Sequence, residues 1–181
     1  MPNIILMILV FSALYSVSMK IADMLNEHGL KWFKFSDILF GVLWGVFASL
    51  LILTNNEMAN LHIAILLAFI LKSKIDKINH GFGAAIILLT FIFTLTDFTL
   101  ILPLFLTIFL SYTILGLIHD NLYESKSKNI ISNLFDLRFY FILVPLILSA
   151  ITKNYWLSFF SSSLFIIAYD LTKYYLSKLA N

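Results

Sequence analysis

Two short polar stretches hold most of the residues in this chain that could do chemistry together. Lys20-Ile21-Ala22-Asp23-Met24-Leu25-Asn26-Glu27-His28-Gly29 is echoed by Lys74-Ile75-Asp76-Lys77-Ile78-Asn79-His80-Gly81. With Ala22 and Glu27 skipped in the first stretch, both read Lys-Ile-Asp-x-x-Asn-His-Gly. The Asp and Asn of one lie 53 residues from those of the other. Asp23, Asn26 and Glu27 stand at i, i+3, i+4, as do Asp76, Asn79 and His80, and residues so spaced share one face of a helix. Two such faces brought together would set carboxylate, amide and imidazole groups around one point.

Hard oxygen donors of that kind suit Mg²⁺, which takes one or two carboxylates together with substrate phosphates. The metal ligands expected on this basis are Asp23, Asp76 and Glu27. The catalytic set is Asp23, Asp76, His80 and Asp120, the last brought by His119-Asp120-Asn121 as a third side. Lys74 and Arg138 would neutralise phosphate oxygens, with Asn26, Asn79 and Asp170 completing the substrate-binding residues. A plainer account stands beside this one. Polar residues at helix ends often only cap the helix and meet water, and Gly29 and Gly81, each following a histidine, have the look of helix C-cap glycines.

These residues must be positioned by membrane helices. Of the 181 residues, 61% are hydrophobic and only 12% charged, against about 45–50% and about 25% in soluble domains. The mean hydropathy is +0.96. A net charge of +2 with no basic stripe argues against nucleic acid. Without cysteine there is no disulfide framework, zinc-thiolate site or thiol nucleophile. The first apolar run begins at Asn3 with no basic region before it and reads as a retained helix, not a removable signal. The fold expected is a single all-α domain over residues 1–181, a multi-pass bundle in the cell membrane.

Spans of roughly 20 apolar residues are expected at 3–19, 37–54, 58–73, 82–95, 99–118, 139–152 and 155–176. A polar helical segment, 20–36, follows the first, and Ile130–Phe135 reads as an interfacial half-turn. The run from Phe82 to Ile118 is too long for one crossing. It is expected to fold back at Thr96-Asp97-Phe98, which leaves Pro103 in the first turn of the fifth span, where its missing N–H costs least. Gly41-x-x-x-Gly45 lets helix backbones approach closely, either within the bundle or as an oligomer seam. Ten of the eleven lysines, and Arg138, fall in alternate loops and the C-terminal segment. Basic loops mark the cytoplasmic side, so an odd number of spans is expected, seven, with the N-terminus outside.

Eight of the ten acids share that face with the lysines, although positive-inside sorting gives acids little preference. Asp170 lies within Phe165-Ile166-Ile167-Ala168-Tyr169-Asp170-Leu171, where an ionisable group usually faces the bundle interior and finds a partner; Lys173 at i+3 is the local alternative. His62 reads as a satisfied core histidine, and the serines at 158–163 as small or hydrogen-bonding contacts between helices. No Gly-rich phosphate loop, His-Glu-x-x-His or Gly-x-Ser-x-Gly element occurs. Ile75-Asp76-Lys77-Ile78-Asn79 resembles part of the aspartate-rich motif of membrane prenyltransferases of the ubiquinone-biosynthesis type. The resemblance covers five residues, lacks the Asn-Asp that opens that motif, and sits in a chain too short for nine helices.

Three functions remain in view. One is a Mg²⁺-dependent membrane enzyme acting on a lipid-linked phosphate or diphosphate. The second is a small transporter or channel of parallel repeats, and the third a non-catalytic assembly or scaffold subunit; membrane lipid is the expected partner under all three.

Overall fold

A computed structural model describes residues 2–27, 30, 32–124 and 138–179. The described residues form seven α-helices and no strand: α1 (Pro2–Glu27), α2 (Ser36–Ile52), α3 (Asn56–Leu71), α4 (Ile78–Phe93), α5 (Leu102–Glu124), α6 (Tyr140–Thr152) and α7 (Trp156–Leu179). Two of them, over Asn3–Asn26 and Leu102–Leu122, are long and apolar enough to cross a membrane. The fold-back lies where expected, α4 closing at Phe93 and α5 opening at Leu102 with Pro103 in its first turn. Ile130–Phe135 lies outside the described residues.

Three boundaries depart from the expected ones. The helical segment expected at 20–36 continues the first span without a Gly or Pro between them, Ile21, Met24 and Leu25 packing with Leu176 of α7, but α1 ends at Glu27. α3 ends at Leu71; Ser73 takes a left-handed conformation (φ 54°), and Lys74 N–H closes on the Phe69 carbonyl at 2.9 Å. That is a helix stop of the kind glycine usually makes, here made by serine. α4 begins at Ile78, so Gly81 sits in its first turn and is not a C-cap. Gly29 and His28 lie outside the described residues.

Contacts between helices fix their directions. Ser12, Ser16 and Lys20 of α1 meet Ser161, Phe165 and Tyr169 of α7, so these two helices run parallel. Gly41 and Gly45 of α2 lie against Asn79 and Gly83 of α4, and Thr90 bonds Ser49 further along, a second parallel pair. A Cβ on Gly45 would stand 2.7 Å from the Gly83 Cα, and one on Gly41 2.5 Å from the Asn79 carbonyl oxygen. The Gly-x-x-x-Gly face is therefore filled by α4 of the same chain. α3 is the central helix, buried on nearly every side from Met58 to Leu66.

The bundle is apolar outside as well as within. Phe93 is 82% and Ile151 76% exposed, and the outward faces of α1, α5 and α7 carry further isoleucine, leucine and phenylalanine. Serine, asparagine, histidine, lysine and aspartate side chains occur among the buried residues. Pro145 of α6 shows how such groups are used. Proline has no N–H to give the carbonyl four residues back, and that carbonyl, of Phe141, accepts instead from the Tyr112 hydroxyl at 2.8 Å. At the opposite end from the lysines, Asn56 and Asn60 of α3 bond the backbone of Thr99 and Ile101, pinning the α4–α5 connection.

Candidate functional site at the lysine-rich end

The two echoed stretches meet. Asn26 Nδ2 donates to Asn79 Oδ1 at 3.0 Å, and Asn79 Nδ2 donates to the Ala22 carbonyl at 3.2 Å. His80 Nε2 lies 2.9 Å from Asp23 Oδ1. A carboxylate only accepts, so this nitrogen carries the proton. The other carboxylate oxygen, Oδ2, takes the Tyr169 hydroxyl at 2.7 Å, while Lys20 Nζ stands 3.3 Å from that hydroxyl and 3.8 Å from Oδ2. Lys20 is only 4% and Asp23 7% exposed. Isolated charges at such burial are costly, and full pairing is what makes them tolerable.

The echo is not a structural repeat. Its first copy is the closing end of a helix, whereas its second begins in a turn and enters α4 only at Ile78. Asp76 therefore does not share a helical face with Asn79 and His80. It precedes the helix with its side chain 56% exposed, 3.9 Å from His80 Nδ1. One imidazole thus lies between two carboxylates, one buried and one open to water.

A second group gathers where α3 and α5 end. Lys74 Nζ is 3.0 Å from Asp120 Oδ2, and His119 Nδ1 is 3.2 Å from Asp120 Oδ1. Lys72 lies against Gly116, where any Cβ would collide with its ammonium end. Burial pushes the Lys72 amine below its ordinary range, and Lys74 and Arg138 add to this while Asp120 opposes it.

Arg138 lies between the two groups, its guanidinium 4.3 Å from the centre of the Tyr169 ring. Burial works against its charge, but Tyr169 and Asp23 outweigh that and hold its pKa above the usual arginine value. Asp170 is half-buried and makes no hydrogen bond or ion pair to a described residue; its neighbour Tyr169 is the α7 residue that enters the cluster. Glu27 ends α1, and its side chain lies outside the described residues.

Of the expected site residues, Asp23, Asn26, Asn79 and His80 are joined directly, with Asp76 at the edge. Lys74 and Asp120 form the neighbouring pair. Among the described residues no three His, Asp or Glu side chains are gathered to hold a metal ion, and both Asp23 oxygens already accept from protein donors. Lys72 and Tyr169 were not picked out by sequence, and Lys20, although it opens the first stretch, was not among the expected site residues. A signal existed: Ser12, Ser16 and Lys20 recur every fourth residue, a polar stripe that in an apolar helix points inward. No protein family, curated protein or solved structure matches this chain.

Proposed function

We propose that the chain is an integral membrane protein of seven spans, N-terminus outside and C-terminus cytoplasmic, whose lysine-rich end binds a lipid-linked phosphate or diphosphate at the cytoplasmic leaflet. Support for the membrane half comes from the surface. Soluble proteins rarely expose contiguous apolar patches beyond a few hundred Å², yet the outward faces here are apolar on helix after helix. A 16-residue helix such as α3 covers about 24 Å, short of a hydrocarbon core of about 30 Å, a mismatch that bilayers meet by local thinning. The basic loops supply the orientation.

Arg138 is the observation that supports the functional half. Its planar fork is suited to phosphate oxygens. It stacks on a tyrosine whose hydroxyl is fixed by the buried Asp23, and its field reaches Lys72 on the other side. Arg138, Lys72 and Lys74 would neutralise a phosphoryl group, while Lys20, buried against Tyr169, positions the stack. His80, oriented by Asp23, is the residue best placed to move a proton as a general acid or base. A Mg²⁺ ion delivered with a diphosphate would meet Asp76, the exposed carboxylate beside His80.

The test uses the full chain in detergent, titrated with phosphatidate or farnesyl diphosphate, with and without Mg²⁺, against phosphatidylcholine. Phosphatidate and farnesyl diphosphate, which carry a terminal phosphate, are expected to raise the melting temperature, and the phosphodiester phosphatidylcholine is not. Arg138→Gln and Lys74→Gln should each weaken binding about tenfold, the loss of one charge-assisted contact. No preference over phosphatidylcholine, or undiminished binding by Arg138→Gln, would overturn the proposal.

A further inference from the structure

Apart from Arg138, Lys72 and Lys74, a cavity opens at the lysine-rich end where α1 gives way to α2. It has a volume of about 460 Å³, within the range of about 300–1,000 Å³ usual for small-molecule sites. Asn26 lines it from the end of α1, Trp32, Phe33 and Lys34 from the connection, and Ser36 and Asp37 from the first turn of α2. The Trp32 ring is set edge-on against Phe40, 5.5 Å between ring centres. Trp32 and Phe33 are nonetheless exposed. Aromatic rings so placed collect at the headgroup level of a bilayer, so the mouth of the cavity faces lipid headgroups.

Three acceptors line this space without a donor from the protein. Ser36 is only 4% exposed, yet its hydroxyl reaches the cavity and makes no hydrogen bond to a described residue. Burying a hydroxyl without a partner is unfavourable, and an occupant that supplies one accounts for it. The half-buried Asp37 carboxylate makes no hydrogen bond or ion pair to a described residue. Asn26 gives its amide N–H to Asn79, which leaves its Oδ1 to accept from elsewhere.

A primary ammonium carries three N–H donors and a positive charge, the complement of a carboxylate, an amide oxygen and a hydroxyl. A quaternary ammonium suits the aromatic walls but gives these acceptors nothing. Groups for an attached phosphodiester are also present. Lys34 stands at the rim, its ammonium 4.9 Å from the centre of the Phe35 ring. α2 opens beside it with no side-chain cap, which leaves first-turn N–H groups for oxygens from outside.

We propose that this cavity holds the headgroup of an ethanolamine-type aminophospholipid, its ammonium on Asp37, Asn26 and Ser36 and its phosphodiester towards Lys34. The site depends on the membrane reading above and not on phosphate binding at Arg138.

The full chain in detergent is titrated with phosphatidylethanolamine, its N-methyl and N,N-dimethyl derivatives, and phosphatidylcholine, with affinity read from the rise in melting temperature. The series holds the charge constant and removes one N–H donor at each step. Affinity is expected to fall along it, by about tenfold or more from first to last. Asp37→Asn and Ser36→Ala should each weaken phosphatidylethanolamine binding several-fold and flatten the series while phosphatidate binding holds. Arg138→Gln should do the reverse, and Ser36→Ala decides the question should Asp37→Asn fail to fold. Equal affinity along the series, tighter binding of phosphatidylcholine, or undiminished phosphatidylethanolamine binding in both variants would overturn the site. Flotation with liposomes separates the two failures: a chain that does not float sinks the membrane reading, and one that floats with a flat series sinks the headgroup site alone.

Discussion

Asp23 and Tyr112 make the same point about single residues: in this bundle a polar side chain is kept where another polar atom would otherwise be stranded. Asp23 accepts from His80 and Tyr169 beside the Lys20 ammonium, and Tyr112 closes the carbonyl that Pro145 leaves open. Tyr112→Phe keeps the ring and its packing against Phe141 but removes that donor. The expected cost is about 1–3 kcal/mol, read as a lower denaturation midpoint in detergent. Tyr112→Phe combined with Pro145→Ala should recover much of the loss, because alanine restores the N–H that the Phe141 carbonyl lacks. Both partners were visible in the sequence, but their meeting was not. Nothing local says that Tyr112 faces Phe141 from another helix.

Among the elements, the α2–α4 seam is the most demanding. Gly41, Gly45 and Gly83 let two backbones approach so closely that Trp44 occupies the space a Cβ on Gly83 would need. The first two glycines are legible as a Gly-x-x-x-Gly signal; their partner helix is not, since α4 is two elements further along the chain. Gly45→Leu must force α2 from α4, and overpacking of that kind costs about 1–3 kcal/mol or more. Because Asn79 and His80 ride on the first turn of α4, the same variant is expected to disturb the Asn26–Asn79 and His80–Asp23 contacts. Its phosphate-lipid binding should therefore fall along with its thermal stability, whereas Gly81→Ala, at a position open to space, should leave both unchanged.

For the whole molecule, alternating helix directions bring α1, α3, α5 and α7 to one end at their C-termini, which is why polar segments far apart in sequence share one cluster. The proposed orientation is testable at little cost because the chain has no cysteine of its own. Single replacements Asn154→Cys, in the α6–α7 turn, and Ser177→Cys, near the end of α7, should label from opposite sides of intact cells with an impermeant maleimide. Asn154→Cys should react from outside and Ser177→Cys only after lysis. Labelling of both from one side would contradict an odd number of crossings between them and the proposed orientation.

Composition, hydropathy and the placing of lysines were enough to define an all-helical bundle, its fold-back near Asp97, and the end at which the charged residues collect. These are properties of burial and of short-range periodicity, which a chain carries locally. Only the tertiary structure decided that Asp23 pairs with His80 and not with Asp76, that Tyr169 and Lys20 belong to the cluster, and that His62 has no hydrogen-bond partner among the described residues. Each depends on which faces of non-adjacent helices meet: the Ser12, Ser16 and Lys20 stripe marks the inward face of α1, but nothing local names the helix that meets it.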